Sequence, residues 1–221
     1  MLLRADFDQP ALVTPDDEDW VHSPESGVDR RMLDRIGDEV ARATSIVRYA
    51  PQSAFPRHEH ALGEEFLVLD GIFADDDGDY PPGTYVRNPP GSGHAPRSEN
   101  GCLLFVKLRQ FDPQDLVRIV VDTNAEADWQ PADDGDGTKL PLHRHGTELV
   151  FMRGLAAGEA MRGKVPDGGM ETLVVRGVLG YAGQSLPPQS WLRLPAGASY
   201  EFVAAEDARI WIKTGHLPIR D

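Results

Sequence analysis

The chain has 221 residues, with 22 Lys and Arg against 36 Asp and Glu, a net charge of −14. A surface this acidic repels phosphate, so nucleic acid is not an expected partner. Cys102 is the single cysteine, which excludes an internal disulfide and a cysteine-only zinc site.

The N-terminal stretch MLLRADFDQPALVTPDDEDW is acidic and lacks an apolar segment of signal-peptide length. No run approaches the ~18 apolar residues of a membrane span. A soluble, cytoplasmic protein without a membrane partner is therefore expected. The 18 prolines and 22 glycines are spread along the chain, which favours short strands and tight turns over long helices. GVDRRMLDRIGDEVAR (27–42) is the one stretch with a helix-like pattern, an irregular lead-in being the alternative.

From residue 44 onward the chain repeats itself. EFLVLDGI (65–72) matches ETLVVRGV (171–178), PPGTYVRNPPG (81–91) matches PPQSWLRLPAG (187–197), and FVK (105–107) matches WIK (211–213). All three keep one offset of 106 residues, 65 to 171, which makes the chain two copies of one domain. Each copy runs through apolar β-rich segments separated by Gly and Pro: TSIVRYA, FLVLDGIF, YVRN and CLLFVKLR in the first, ELVFMRG, LVVRGVLG, WLRL and ARIWIKT in the second. Short strands at about ten-residue intervals predict an all-β barrel or sandwich. The expected domains are 1–115, with an N-terminal lead-in, and 116–221.

Chemistry concentrates in the first copy. On a strand, His58 and His60 point to the same face. Glu64 follows across the turn-like Ala61-Leu62-Gly63, and His94 follows the turn Pro89-Pro90-Gly91-Ser92-Gly93. Three imidazoles and a carboxylate suit a divalent metal such as Zn, Fe(II), Mn, Ni or Cu. Glu65 has a counterpart, Glu171, and alternation sends it to the face opposite Glu64, so it is read as structural.

Pro51, His58, His60, Glu64 and Gly71 match the first motif of the cupin superfamily, G/P-x5-6-H-x-H-x3-4-E-x6-G. Pro89, Gly91 and His94 match the second, although its terminal Asn is missing. The stretch from TSIVRYA to GCLLFVKLRQF resembles the cupin domain of the anti-sigma factor ChrR and its relatives, closely over residues 28–112 and weakly in the second copy. The resemblance implies two tandem cupin domains, each a double-stranded β-helix or jelly-roll barrel. It also implies one divalent ion per chain on His58, His60, Glu64 and His94. Zinc leads, with Fe(II), Mn or Ni open.

The 106-residue offset carries these four ligands onto Lys164, Pro166, Met170 and Tyr200, so the second copy is a degenerate cupin without metal ligands. Met170 and Tyr200 are expected to help fill its interior. His143-Arg144-His145 precedes the ligand-bearing segment and is read as edge or loop, a weak interface metal site being the alternative. Arg87 with Arg193, and Lys107 with Lys213, recur in both copies and point to a shared structural ion pair. Tyr49, Phe66, Val68 and Phe105 are candidates to line the first barrel, and Cys102 is a small buried hydrophobe. Asp75-Asp76-Asp77-Gly78-Asp79 lacks the EF-hand spacing and reads as a solvated hairpin.

Two functions follow from the resemblance, and no catalytic residue is assigned. The first is a zinc-binding, ligand-sensing regulatory module of the ChrR type, taking a small molecule in its first barrel. The first 27 residues are too short for the anti-sigma zinc domain and lack its H-x3-C-x2-C signature, so a sigma factor is not expected to bind this chain alone. The second is an Fe(II)-dependent cupin dioxygenase acting on a diketone or phenolic ketone, with Glu64 able to accept a substrate proton. Open sheet edges favour a homodimer.

Overall fold

The computed structural model describes residues 1–218. All regular structure among them is β, apart from a 3-10 turn at Glu126–Asp128. The chain divides into two compact units. In the first, a large antiparallel sheet runs Val28–Gly37, Ala41–Tyr49, Cys102–Leu108, Glu64–Gly71, Thr84–Asn88 in spatial order. A small sheet contributes Phe73–Asp75 and Gly78–Tyr80, and a separate pair joins His58–His60 to Ser92–His94. Phe66, Val68, Val86 and Val106 of the large sheet pack with Phe73 and Tyr80 of the small one. The second unit repeats the plan, its core drawing on Val174, Leu192, Ile210 and Ile212 against Leu179, Leu186 and Phe202.

The 106-residue offset survives in the ladders. Glu65 lies opposite Arg87 and Lys107, and Glu171 opposite Arg193 and Lys213. Each unit skips one residue at the same place, Leu69 in the first and Val175 in the second. Gly71 and Gly177 follow, with φ of +69° and +75°; an added Cβ would meet the Gly101 carbonyl oxygen at 2.2 Å and that of Asp207 at 2.3 Å. Only glycine fits there.

Residues 27–42 are not helical. Val28–Gly37 is a strand paired with Ala41–Tyr49, and the pairing skips Leu33. That bulge adds one residue to the alternation, which spaces Val28, Met32, Leu33 and Ile36 in a helix-like way. The second unit skips Leu142 at the equivalent point, an offset of 109 from Leu33 rather than 106. A connection three residues shorter, Gly146-Thr147 between the His145↔Glu148 pair against Gly37–Ala41 between the Ile36↔Arg42 pair, restores the register of 106 beyond it.

The compact units do not divide at residue 115. The first comprises Met1–Ala5 and Asp19–Asn124; the second takes Asp6–Glu18 and everything from Ala125 onward. Ile119–Asp122 completes the edge of the first large sheet on Thr84–Asn88. Ala11–Val13 completes the second on Trp191–Leu194. Each edge strand thus precedes one repeat and serves the other.

Candidate metal centre

His58, His60 and His94 each offer a ring nitrogen within 4.8 Å of the others. The strand pairing explains this convergence. Ser92 lies opposite His60 and His94 opposite His58, so alternation puts all three rings on one face. Glu64 starts the neighbouring strand of the large sheet, and the His60–Gly63 turn carries it back. Its Oε2 is 3.3 Å from His60 Nε2 and 3.5 Å from His94 Nε2. Asn88 Nδ2 donates to the same oxygen at 3.4 Å.

The surroundings treat the rings differently. His60 and His94 are buried, whereas His58 is exposed, so the cluster opens to solvent on the His58 side. His58 Nδ1 lies 3.2 Å from the Pro56 carbonyl, and His94 Nδ1 lies 2.9 Å from Asp75 Oδ2. The Nε2 of His60 is buried and makes no hydrogen bond. Burial lowers the His60 pKa, and the neighbouring imidazoles add to this against the pull of Glu64. Burial also works to lower that of His94, but the Asp75 hydrogen bond and the charges of Glu64, Asp75 and Asp76 outweigh it and raise the pKa. Behind the rings stand Phe73, at 5.8 Å from His94, and the packed Phe66, Tyr80, Tyr49 and Phe55. Burial drives the Tyr49 phenol far up, with the Glu64 charge adding to it.

Glu65 belongs to the other face of the sheet. It is buried, accepts from the Tyr85 hydroxyl at 2.6 Å and pairs with Arg87 at 2.8 Å. Arg87 also pairs with Asp115 at 2.6 Å. Lys107 donates to Thr44 Oγ1 at 2.9 Å, and Lys213 pairs with Glu148 at 3.1 Å. Phe105 is buried, yet its neighbours Leu104 and Val106 are the ones that join the interior cluster; it too faces the opposite side. Phe66, Val68 and Tyr49 do line the interior.

In the second unit the matching segments form one continuous pair, Ala160–Lys164 on Ser199–Ala204. Here Lys164 lies opposite Ser199, and Tyr200 opposite Gly163. Met170 is buried in the core, with Tyr200 partly buried against it, while Lys164 and Pro166 are exposed. His143 and His145 lie at the end of the Thr138–His145 strand, ahead of Ala160–Lys164, at the positions of Asp34 and Ile36 in the first unit.

Asp75, Asp76 and Asn88 were not legible as parts of this cluster, because the acidic run reads as a solvated turn. One signal was available: the offset of 106 carries Asp75 onto Tyr181 and Asp76 onto Ala182, so these acids disappear in the copy that lacks the three histidines and Glu64.

A sequence model of the ChrR Cupin-like domain matches the chain twice, over residues 8–112 and 117–218. The chain belongs to the ChrR cupin-like family. Its fold is that of a bicupin, two jelly-roll barrels in one chain, and the family places it among metal-binding cupins. No curated protein matches the chain. Among solved structures it is similar to a protein described as a candidate dioxygenase from Nostoc punctiforme, at 12% identity and a TM-score of 0.76, covering 95% of this chain and 83% of that one. It is also similar to YlbA of Escherichia coli, at 14% identity and a TM-score of 0.73, covering 98% and 95%. The bacterial pirin YhhW of E. coli, solved with nickel(II), aligns at 12% identity and a TM-score of 0.71, covering 95% and 100%. At these identities the likeness is one of fold. No helix among the described residues is long and apolar enough to cross a membrane.

Proposed function

We propose that the first barrel holds one divalent metal ion on His58, His60, Glu64 and His94, and that this bicupin is a zinc-binding, ligand-sensing module. The observation that carries the reading is the orphaned Nε2 of buried His60, 3.3 Å from a carboxylate oxygen that also approaches His94 Nε2. A buried polar atom without a partner costs about 1–3 kcal/mol, and a cation at the centre of the cluster would satisfy it. The donor set of three imidazoles and one carboxylate is one that zinc accepts. When bound, such an ion supplies Lewis acidity to a donor atom of a small molecule. Glu64 offsets the ionic charge and is steadied by Asn88, the aromatic wall keeps water from the far side, and a ligand enters past exposed His58.

The same open edge supports a second reading, an Fe(II) dioxygenase for a diketone or phenolic ketone in which Glu64 takes the substrate proton. Metal analysis of protein purified without added metal, followed by oxygen uptake on β-diketones, tests both. Zinc at one ion per chain and no oxygen uptake is the expected result. Iron with substrate-dependent uptake would replace the sensor with the dioxygenase. Protein that neither retains nor takes up a divalent ion would end both readings.

A further inference from the structure

We propose that Asp75 is the positioning residue of this centre, fixing the His94 ring so that Nε2 faces the other ligands, and that the acidic hairpin carrying Asp75 ties down the two ligand strands. The inference rests on the metal-centre reading above. Asp75 Oδ2 lies 2.9 Å from His94 Nδ1. A carboxylate only accepts, so the proton sits on Nδ1 and donates to it, leaving Nε2 with a free lone pair. Asp75 is itself immobilised. Its Oδ1 accepts from the Asp77 backbone N–H at 2.8 Å and from the Tyr80 hydroxyl at 3.0 Å. Its backbone carbonyl accepts from Arg97 Nη1 at 2.5 Å.

The next residue extends the device. Asp76 pairs with Arg57 Nη1 at 2.5 Å, and Arg57 Nη2 donates to the Gly93 carbonyl at 3.0 Å. Arg57 immediately precedes His58, and Gly93 immediately precedes His94. One guanidinium thus joins the hairpin to both ligand strands. That pair is exposed and contributes little energy by itself; the buried Asp75 carries the argument.

The second barrel is the internal control. Glu65, Arg87 and Lys107 persist there as Glu171, Arg193 and Lys213, although no ligand does. Asp75, Asp76 and Arg57 become Tyr181, Ala182 and Gly163. Polar residues that the barrel itself needs remain in both copies, whereas those of the hairpin are absent where the ligands are absent. A solvated turn explains exposed Asp77 and Asp79, but not Asp75 at 3% exposure.

The test uses the full chain, stripped of metal. Zinc affinity is measured by competition with a chromophoric chelator, and the His94 tautomer by long-range nitrogen–proton NMR of the metal-free protein. Wild type is expected to show one tautomer, protonated on Nδ1. Asp75→Ala should lose that preference and weaken zinc binding by about 10–100-fold. Asp75→Asn retains an acceptor and should fall between the two. Tyr80→Phe removes one support of Asp75, should cause a smaller loss, and stands in if Asp75→Ala does not fold. Unchanged affinity and tautomer in these variants, with only the melting temperature lowered, would overturn the proposal. His60→Ala separates the two layers. If it loses zinc while the Asp75 variants keep theirs, the positioning role alone falls. If wild type and His60→Ala bind zinc equally, the metal-centre reading falls and the positioning role with it.

Discussion

In the first barrel the Ser92–His94 strand lies on His58–His60 with His94 opposite His58, while in the second the equivalent strands run on unbroken and Tyr200 falls opposite Gly163. Just before this point the two barrels agree. Phe55 N–H donates to the Pro96 carbonyl, and Met161 pairs with Phe202 at the same offset of 106. The first barrel then slips by one residue. Because side chains alternate, a slip of one residue moves a whole set of side chains to the other face. The difference between the copies is therefore one of backbone register as well as of ligand identity. The central ladders of the large sheets, Glu65 with Arg87 and Lys107 against Glu171 with Arg193 and Lys213, keep one register.

The largest effect should come from breaking the first barrel where the second is already broken. His60→Ala should abolish stoichiometric metal uptake, measured by elemental analysis after dialysis. Glu64→Gln keeps the shape but removes the charge and should weaken uptake less.

A second substitution probes what the barrels share. Glu65→Ala strips buried Arg87 of a carboxylate partner at 2.8 Å and removes the acceptor of the Tyr85 hydroxyl. Breaking a buried ion pair from one side costs about 3–5 kcal/mol. A denaturant titration should show that loss, while the metal content of the folded protein stays unchanged. Loss of metal at full stability would place Glu65 in the wrong class.

Smaller still is the effect expected at Cys102, whose counterpart is Ala208, also buried. Cys102→Ala deletes one heavy atom and should cost about 1 kcal/mol. In the wild type, burial pushes the Cys102 thiol up to about 11, with the Asp70 charge adding and the Ser98 hydrogen bond opposing. A raised thiol pKa keeps the group protonated at pH 8, so iodoacetamide should modify it only on unfolding. Rapid alkylation of the native protein would contradict this.

Much of this architecture is legible in the sequence, since Gly71 with Gly177 and Glu65 with Glu171 sit at one offset and mark the same structural positions. What is hidden has physical causes. The bulge at Leu33 disguises a strand as a helix-like pattern. Ala11–Val13 is three residues among acids and prolines, and no local signal indicates that it completes a sheet whose next strand starts at Trp191. Asp75 is hidden because an acid inside an acidic run looks solvated until its hydrogen-bond partner is known. The one-residue slip is hidden because it changes no spacing along the chain.

That last point gives the smallest expected effect and the sharpest test of the comparison. Transplanting the ligands as Lys164→His, Pro166→His, Met170→Glu and Tyr200→His would reproduce the first copy's spacing in the second. If sequence spacing alone made the site, the metal content should double. The ladder predicts no gain. A histidine at 200 would sit opposite Gly163 and at an alternate position to one at 164, so the two would point to opposite faces. The glutamate would replace a buried methionine, and Tyr181 would stand where the first barrel has Asp75. Elemental analysis of the soluble quadruple variant should therefore still read one ion per chain. A second ion in a variant with its Ser199–Ala204 strand unshifted would show that register does not decide which barrel binds metal.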